Sequence, residues 1–159
     1  MIYHIITLGV SKILEQPAQK VVEFGFKNDK DKENQLDLLA RNMFETMYNA
    51  KGVGLAAPQI GVMIRLAVID LSEGKDDSLK LVLVNPEIKE RRGTQIVSEG
   101  CLSIPGRRET IERSEEVLVE AQTTKGEVFT VWGKGYLAQA LQHEVDHLNG
   151  VLFTSYIKV

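Results

Sequence analysis

Two hydrophobic periods alternate along this chain. Leu36, Leu39, Ala40, Met43 and Met47 recur at three- and four-residue spacing, the apolar stripe of an amphipathic helix. Gly52 and Gly54 favour a turn, so that helix is expected to stop near Gly52. Residues from about 64 to 71 read as a strand, 74 to 78 as a polar turn, and 79 to 84 as a second strand. Asn85-Pro86 is expected to end that strand, because proline has no N–H to give to a ladder. Val117, Val119 and Ala121 alternate with Leu118, Glu120 and Gln122. A turn at about 123–126 and a return at 128–132 then suggest an antiparallel hairpin. A final helix is expected from about 134 to 149, with Gly150 as its stop. Residues 27–33, after Gly25, form a charged, turn-like stretch. Helix, strands, then helix, without regular alternation, is the order of an α+β fold.

A length of 159 residues fits one domain, taken here as residues 1–159. The net charge of −3 and pI near 5.7 argue against nucleic acid or an anionic membrane as the main partner. Arg91-Arg92 and Arg107-Arg108 are the local exceptions, and both pairs read as solvated charges on loops. No apolar run approaches the ~20 residues of a membrane span, and the first residues lack the pattern of a signal peptide. A cytoplasmic location is therefore expected. Cys101 is the only cysteine, so no intrachain disulfide forms and the thiol stays free for other chemistry.

The sharpest chemical feature is His143-Glu144-Val145-Asp146-His147. Residues four apart share one helix face, so both imidazoles can bind one metal ion. The glutamate between them can reach a water on that ion. At about 100° per residue, Leu137, Leu141, Glu144 and Leu148 fall within about 60° of each other. Glu144 thus interrupts an apolar stripe, where an unpaired carboxylate is costly unless it has a function. Gln139, Gln142 and Asp146 are expected to face solvent. A third ligand is needed. Phe153, six residues beyond His147, cannot supply it, and no Asp, Glu, His or Cys follows His147. It must lie upstream, with Cys101 and His4 the strongest candidates by chemistry and a carboxylate still open. Cys101 sits in Glu99-Gly100-Cys101-Leu102-Ser103, read as a loop approaching a site. A Cys-His-His set leaves one tetrahedral position for water, as catalytic centres do. The small residues of Gly52-Val53-Gly54-Leu55-Ala56-Ala57-Pro58-Gln59 permit close backbone approach to a ligand. The Gln59 amide could there stabilise an oxyanion. Taken alone, however, the segment reads as a plain helix-to-strand turn with Gln59 on the surface.

The three segments together, in this order, resemble the peptide deformylase family. The resemblance spans roughly residues 40 to 153, and it implies antiparallel β-sheets packed around a C-terminal helix carrying the histidine pair. It implies that Cys101, His143 and His147 bind one divalent metal ion, Fe2+ expected, with Zn2+, Ni2+ or Co2+ also able to occupy the site. It implies that Glu144 shuttles the proton and that Gln59 and the Leu102 backbone N–H form an oxyanion hole. Val53, Gly54 and Gly100 would lie along the bound peptide, and Arg108 and Ala140 would border the methionine pocket. The activity implied is removal of the N-formyl group from the starting methionine of new proteins, with release of formate. The partners implied are N-formyl-methionyl polypeptides, while ribosome docking and oligomeric state stay open. Two alternatives share parts of the pattern: a metallopeptidase cleaving internal bonds, and a binding domain with a structural metal. The chain departs from many bacterial members of the family in stopping soon after Tyr156, and the charged run 106–109 leaves Arg108 less typical of a pocket residue.

Overall fold

A computed structural model describes residues 1–9, 11–24 and 34–157. The charged stretch at 27–33 lies outside the described residues. Helix α1, Gln35–Asn49, begins with a capping box: the Asn34 side chain accepts from the Asp37 N–H, and Asp37 accepts from the Asn34 N–H. Its stripe turns Ala40, Met43, Phe44 and Met47 into the core. The helix ends just before Gly52, whose N–H bonds the Met47 carbonyl.

Strands β1 (Gly54–Ala56), β2 (Leu66–Ile69), β3 (Leu81–Arg92), β6 (Glu116–Gln122) and β7 (Val128–Lys134) form one antiparallel sheet in the order β1-β2-β3-β6-β7. β4 (Gln95–Cys101) and β5 (Ile104–Arg113) form a separate hairpin. β2 is buried on both faces: Leu66 and Val68 meet α1, while Ala67 and Ile69 face the other side. That other side holds α2, Tyr136–Leu148, through Ala138, Ala140, Leu141 and Leu148. The β4–β5 hairpin reaches α2 through side chains, Glu99 meeting His143 and Arg113 meeting Asp146. Beyond α2, Gly150 adopts φ 76°, the left-handed turn a stop requires.

Three sequence expectations need correction. β3 does not end at Asn85-Pro86; a register shift lets the proline sit at a bulge, and the strand continues to Arg92. The β4–β5 hairpin was not foreseen, and Cys101 is the last residue of a strand rather than part of a loop. Arg91-Arg92 and Arg107-Arg108 likewise belong to strands.

Candidate active site

The segment after β1 turns into a short 3-10 helix, Ala57–Ile60, which brings Gln59 inward to 1% exposure rather than to the surface. Its Oε1 accepts from the Ala56 N–H at 2.9 Å, which fixes the amide so that Nε2 points into the site. That nitrogen donates to Ser103 Oγ at 3.1 Å and lies 3.7 Å from Cys101 Sγ. Leu102 and Ser103 form the tight turn between β4 and β5.

Cys101 Sγ lies 3.2 Å from His147 Nε2, and the two histidine Nε2 atoms are 3.0 Å apart. One donor atom from each of Cys101, His143 and His147 falls within 4.8 Å of the others. Of the two upstream candidates, Cys101 lies in this cluster, whereas His4 is exposed and outside it. Three convergent donors, one soft thiolate and two imidazoles, fit a transition-metal ion. His143 Nδ1 is engaged by Glu99 Oε1 at 2.5 Å, which leaves its Nε2 as the ring nitrogen facing His147. Without an ion between them the imidazoles cannot both be charged. Burial lowers His143, but hydrogen bonds to Cys101 and Glu99 outweigh it and raise it to about 10. Burial and the neighbouring His143 push His147 well below its ordinary value.

Glu144 is 3% exposed, and its Oε2 has no hydrogen-bond partner among the described residues. Burial pushes it up to about 7, against the opposing pull of His143. Gly54 lies hard against it: a Cβ there would come within 2.8 Å of Glu144 Oε1. Burial alone would also raise Glu99, yet hydrogen bonds from His143 and Arg113 bring it down to about 2. Arg113 reaches Glu99 at 3.0 and 2.5 Å and Asp146 at 2.6 Å.

An open cavity of about 770 Å³ leads to this cluster. Val53, Gly54, Gly100, Arg108 and Ala140 all line it, as do Gln59, Leu102 and Glu144. Arg108 is at the exposed rim, bonded to Ser98, and Gly100 pairs with it across the hairpin. Tyr136, which was not singled out in the sequence, also lines the cavity, as does Gln139, which was expected to face solvent and instead donates to the Ser98 carbonyl. Gln142 and Asp146 were expected in solvent but are 2% and 7% exposed, because Ser114 and Arg91 engage the Gln142 amide and Arg113 and Tyr156 engage the Asp146 carboxylate. Arg113 carried no sequence signal, since its partners lie on distant elements.

An α+β fold that buries a carboxylate beside a Cys-His-His donor set defines a metal-dependent hydrolase of the His-Glu-x-x-His kind. Phe153, where one zinc-protease class has its third histidine, instead stacks on His143 with ring centroids 6.3 Å apart. Residues 2–159 match the polypeptide deformylase family. The peptide deformylase of Acidobacterium capsulatum is 51% identical over 141 residues, covering 89% of this chain and 78% of that protein. The crystal structure of a peptide deformylase from Legionella pneumophila is similar at 43% identity and TM-score 0.89, covering 99% of this chain and 87% of that one. A peptide deformylase from Synechococcus elongatus, solved in complex with actinonin, is similar at 39% identity and TM-score 0.88, covering 98% and 80%. The chain belongs to the polypeptide deformylase family, metal-dependent hydrolases that remove the N-formyl group from nascent chains.

Proposed function

We propose that this chain, as a single catalytic domain in the cytoplasm, hydrolyses the formyl amide of N-formyl-methionyl polypeptides and releases formate, using Fe2+ held by Cys101, His143 and His147. The observation that carries the reading is the convergence of those three donors, within 4.8 Å of each other, beside the buried Glu144. When bound, the ion supplies Lewis acidity, acidifying a water and polarising the formyl carbonyl. Glu144 takes a proton from the attacking water, a task its burial-raised basicity suits, and then gives it to the leaving amine. One C–N bond breaks, one C–O bond forms, and the water is divided between formate and the new amino terminus. The Gln59 amide N–H and the Leu102 backbone N–H stabilise the charge that develops on the formyl oxygen. Val53, Gly54 and Gly100 lie along the peptide, and Ala140 and Arg108 border the methionine side chain. The small residues Gly52, Gly54 and Gly100 that line the cavity suit a formyl group.

Formate release is expected from N-formyl-methionyl peptides and no cleavage from their unformylated forms. Cys101→Ala is expected to lose the metal. Internal peptide cleavage, or full metal occupancy without the thiol, would overturn the assignment.

A further inference from the structure

The residues farthest along the described chain reach back to the rear of the metal site. Phe153–Tyr156 forms a 3-10 turn after α2. Phe153 stacks on His143 at 28° between ring planes. Tyr156 OH donates to Asp146 Oδ2 at 2.9 Å, and its ring lies 4.7 Å from the centre of the Arg113 guanidinium. Asp146 Oδ2 also accepts from Arg113 Nη1. The same guanidinium holds both oxygens of Glu99, and Glu99 Oε1 accepts a hydrogen bond from His143 Nδ1–H.

We propose that Tyr156 is a positioning residue for the metal centre, clamping the Arg113–Asp146 pair that holds Glu99 and, through Glu99, the tautomer and orientation of His143. The inference rests on the metal-binding reading of Cys101, His143 and His147. Its physics is a boundary. Arg113 and Glu99 are 5% and 3% exposed, whereas Tyr156 is 40% exposed, so the ring stands between the buried fork and solvent. A guanidinium screened from water pulls more strongly on its carboxylate. The hydroxyl adds a second contact to Asp146, which keeps the guanidinium plane from turning. A metal-ligating imidazole depends on such outer partners, whose loss commonly weakens metal affinity about 10- to 100-fold.

Tyr156→Phe keeps the ring and removes the hydroxyl, while Tyr156→Ala removes both. The measurement is zinc affinity of the full chain, by competition with a chromophoric chelator, alongside the visible spectrum of the cobalt-loaded protein. We expect affinity to fall several-fold in Tyr156→Phe and about tenfold or more in Tyr156→Ala, with cobalt bands displaced in the same order. In an Asp146→Ala background, which removes the acceptor, Tyr156→Phe should add no further loss, because the contact it removes is already broken. Zinc affinity and cobalt bands equal to wild type in both single variants would overturn the proposal and leave the metal site intact. So would additive losses in the double variant. A wild-type chain that binds no zinc would overturn the metal site itself, and this inference with it.

Discussion

Glu144 combines two properties that local sequence seldom places together: an ionisable carboxylate and 3% exposure in an apolar stripe. Burial makes it a stronger base, up to about 7 with no ion beside it. A dication a few ångströms away favours the carboxylate and draws the value below that. A general base acts ionised, so kcat/KM should fall as pH drops through its pKa. The acidic limb of the profile is therefore expected below pH 7. Glu144→Gln should keep the metal, lose about 10²–10⁴ in formate release and flatten that limb. Steady-state rates from pH 5 to 8 with metal analysis check this, and near-wild-type turnover would remove Glu144 from the chemistry. At the same scale, Gln59 shows how one backbone N–H orients a functional group. Its carbonyl accepts from the Ala56 N–H, so its amide NH2 is the end presented to the site.

Among elements, the catalytic geometry depends on how closely β1 approaches α2. Gly54 is the point of contact, where a Cβ would press on Glu144; just before β1, one at Gly52 would come within 2.6 Å of Leu102 Cδ1 in the β4–β5 turn. In both cases the obstacle is a side chain rather than main chain, so the fold can adjust while the proposed base or the Leu102 turn is displaced. Gly54→Ala is expected to lower kcat at least about tenfold while its thermal midpoint stays near wild type, since a 1 Å misplacement of a reacting group can cost about 10²-fold. Circular-dichroism melts beside single-turnover rates separate the two effects. A variant that unfolds would make Gly54 a packing residue, and one with unchanged kcat would remove it from the placement of Glu144.

Across the whole molecule, the Glu99–Arg113–Asp146 network ties the β4–β5 hairpin to α2 through one buried guanidinium. Its linkage to pH has a definite sign. Glu99 titrates near 2 when folded, against 4.5 in its ordinary state. It therefore contributes stability above about pH 4.5, amounting to about 3 kcal/mol at most, and this is lost as pH falls toward 2. Metal-free protein unfolded with urea should show its midpoint dropping across that window. Glu99→Gln should be less stable at neutral pH, because Arg113 loses its charged partner, and should show a shallower acid loss. An equally steep acid loss in that variant would assign the effect to other groups.

The sequence by itself determined the parts of this protein whose physics is local. Period and spacing located both long helices, the β6–β7 hairpin and the His143/His147 face, because a helix repeats within a few residues and an imidazole pair four apart shares a side. The resemblance carried by three short motifs extended this to Cys101, Gln59 and Leu102. What only tertiary structure decided was which side of each element meets another. Asp146 and Gln142 looked solvated because α2 reads as one-sided, until Arg113 and Tyr156 meet the one and Arg91 and Ser114 the other. Pro86 looked like a strand end because a bulge depends on the partner strand. Arg113 and Tyr156 had no signal at all, since an ion pair or a ring contact between distant segments leaves no periodicity, and exists only once the chain has folded.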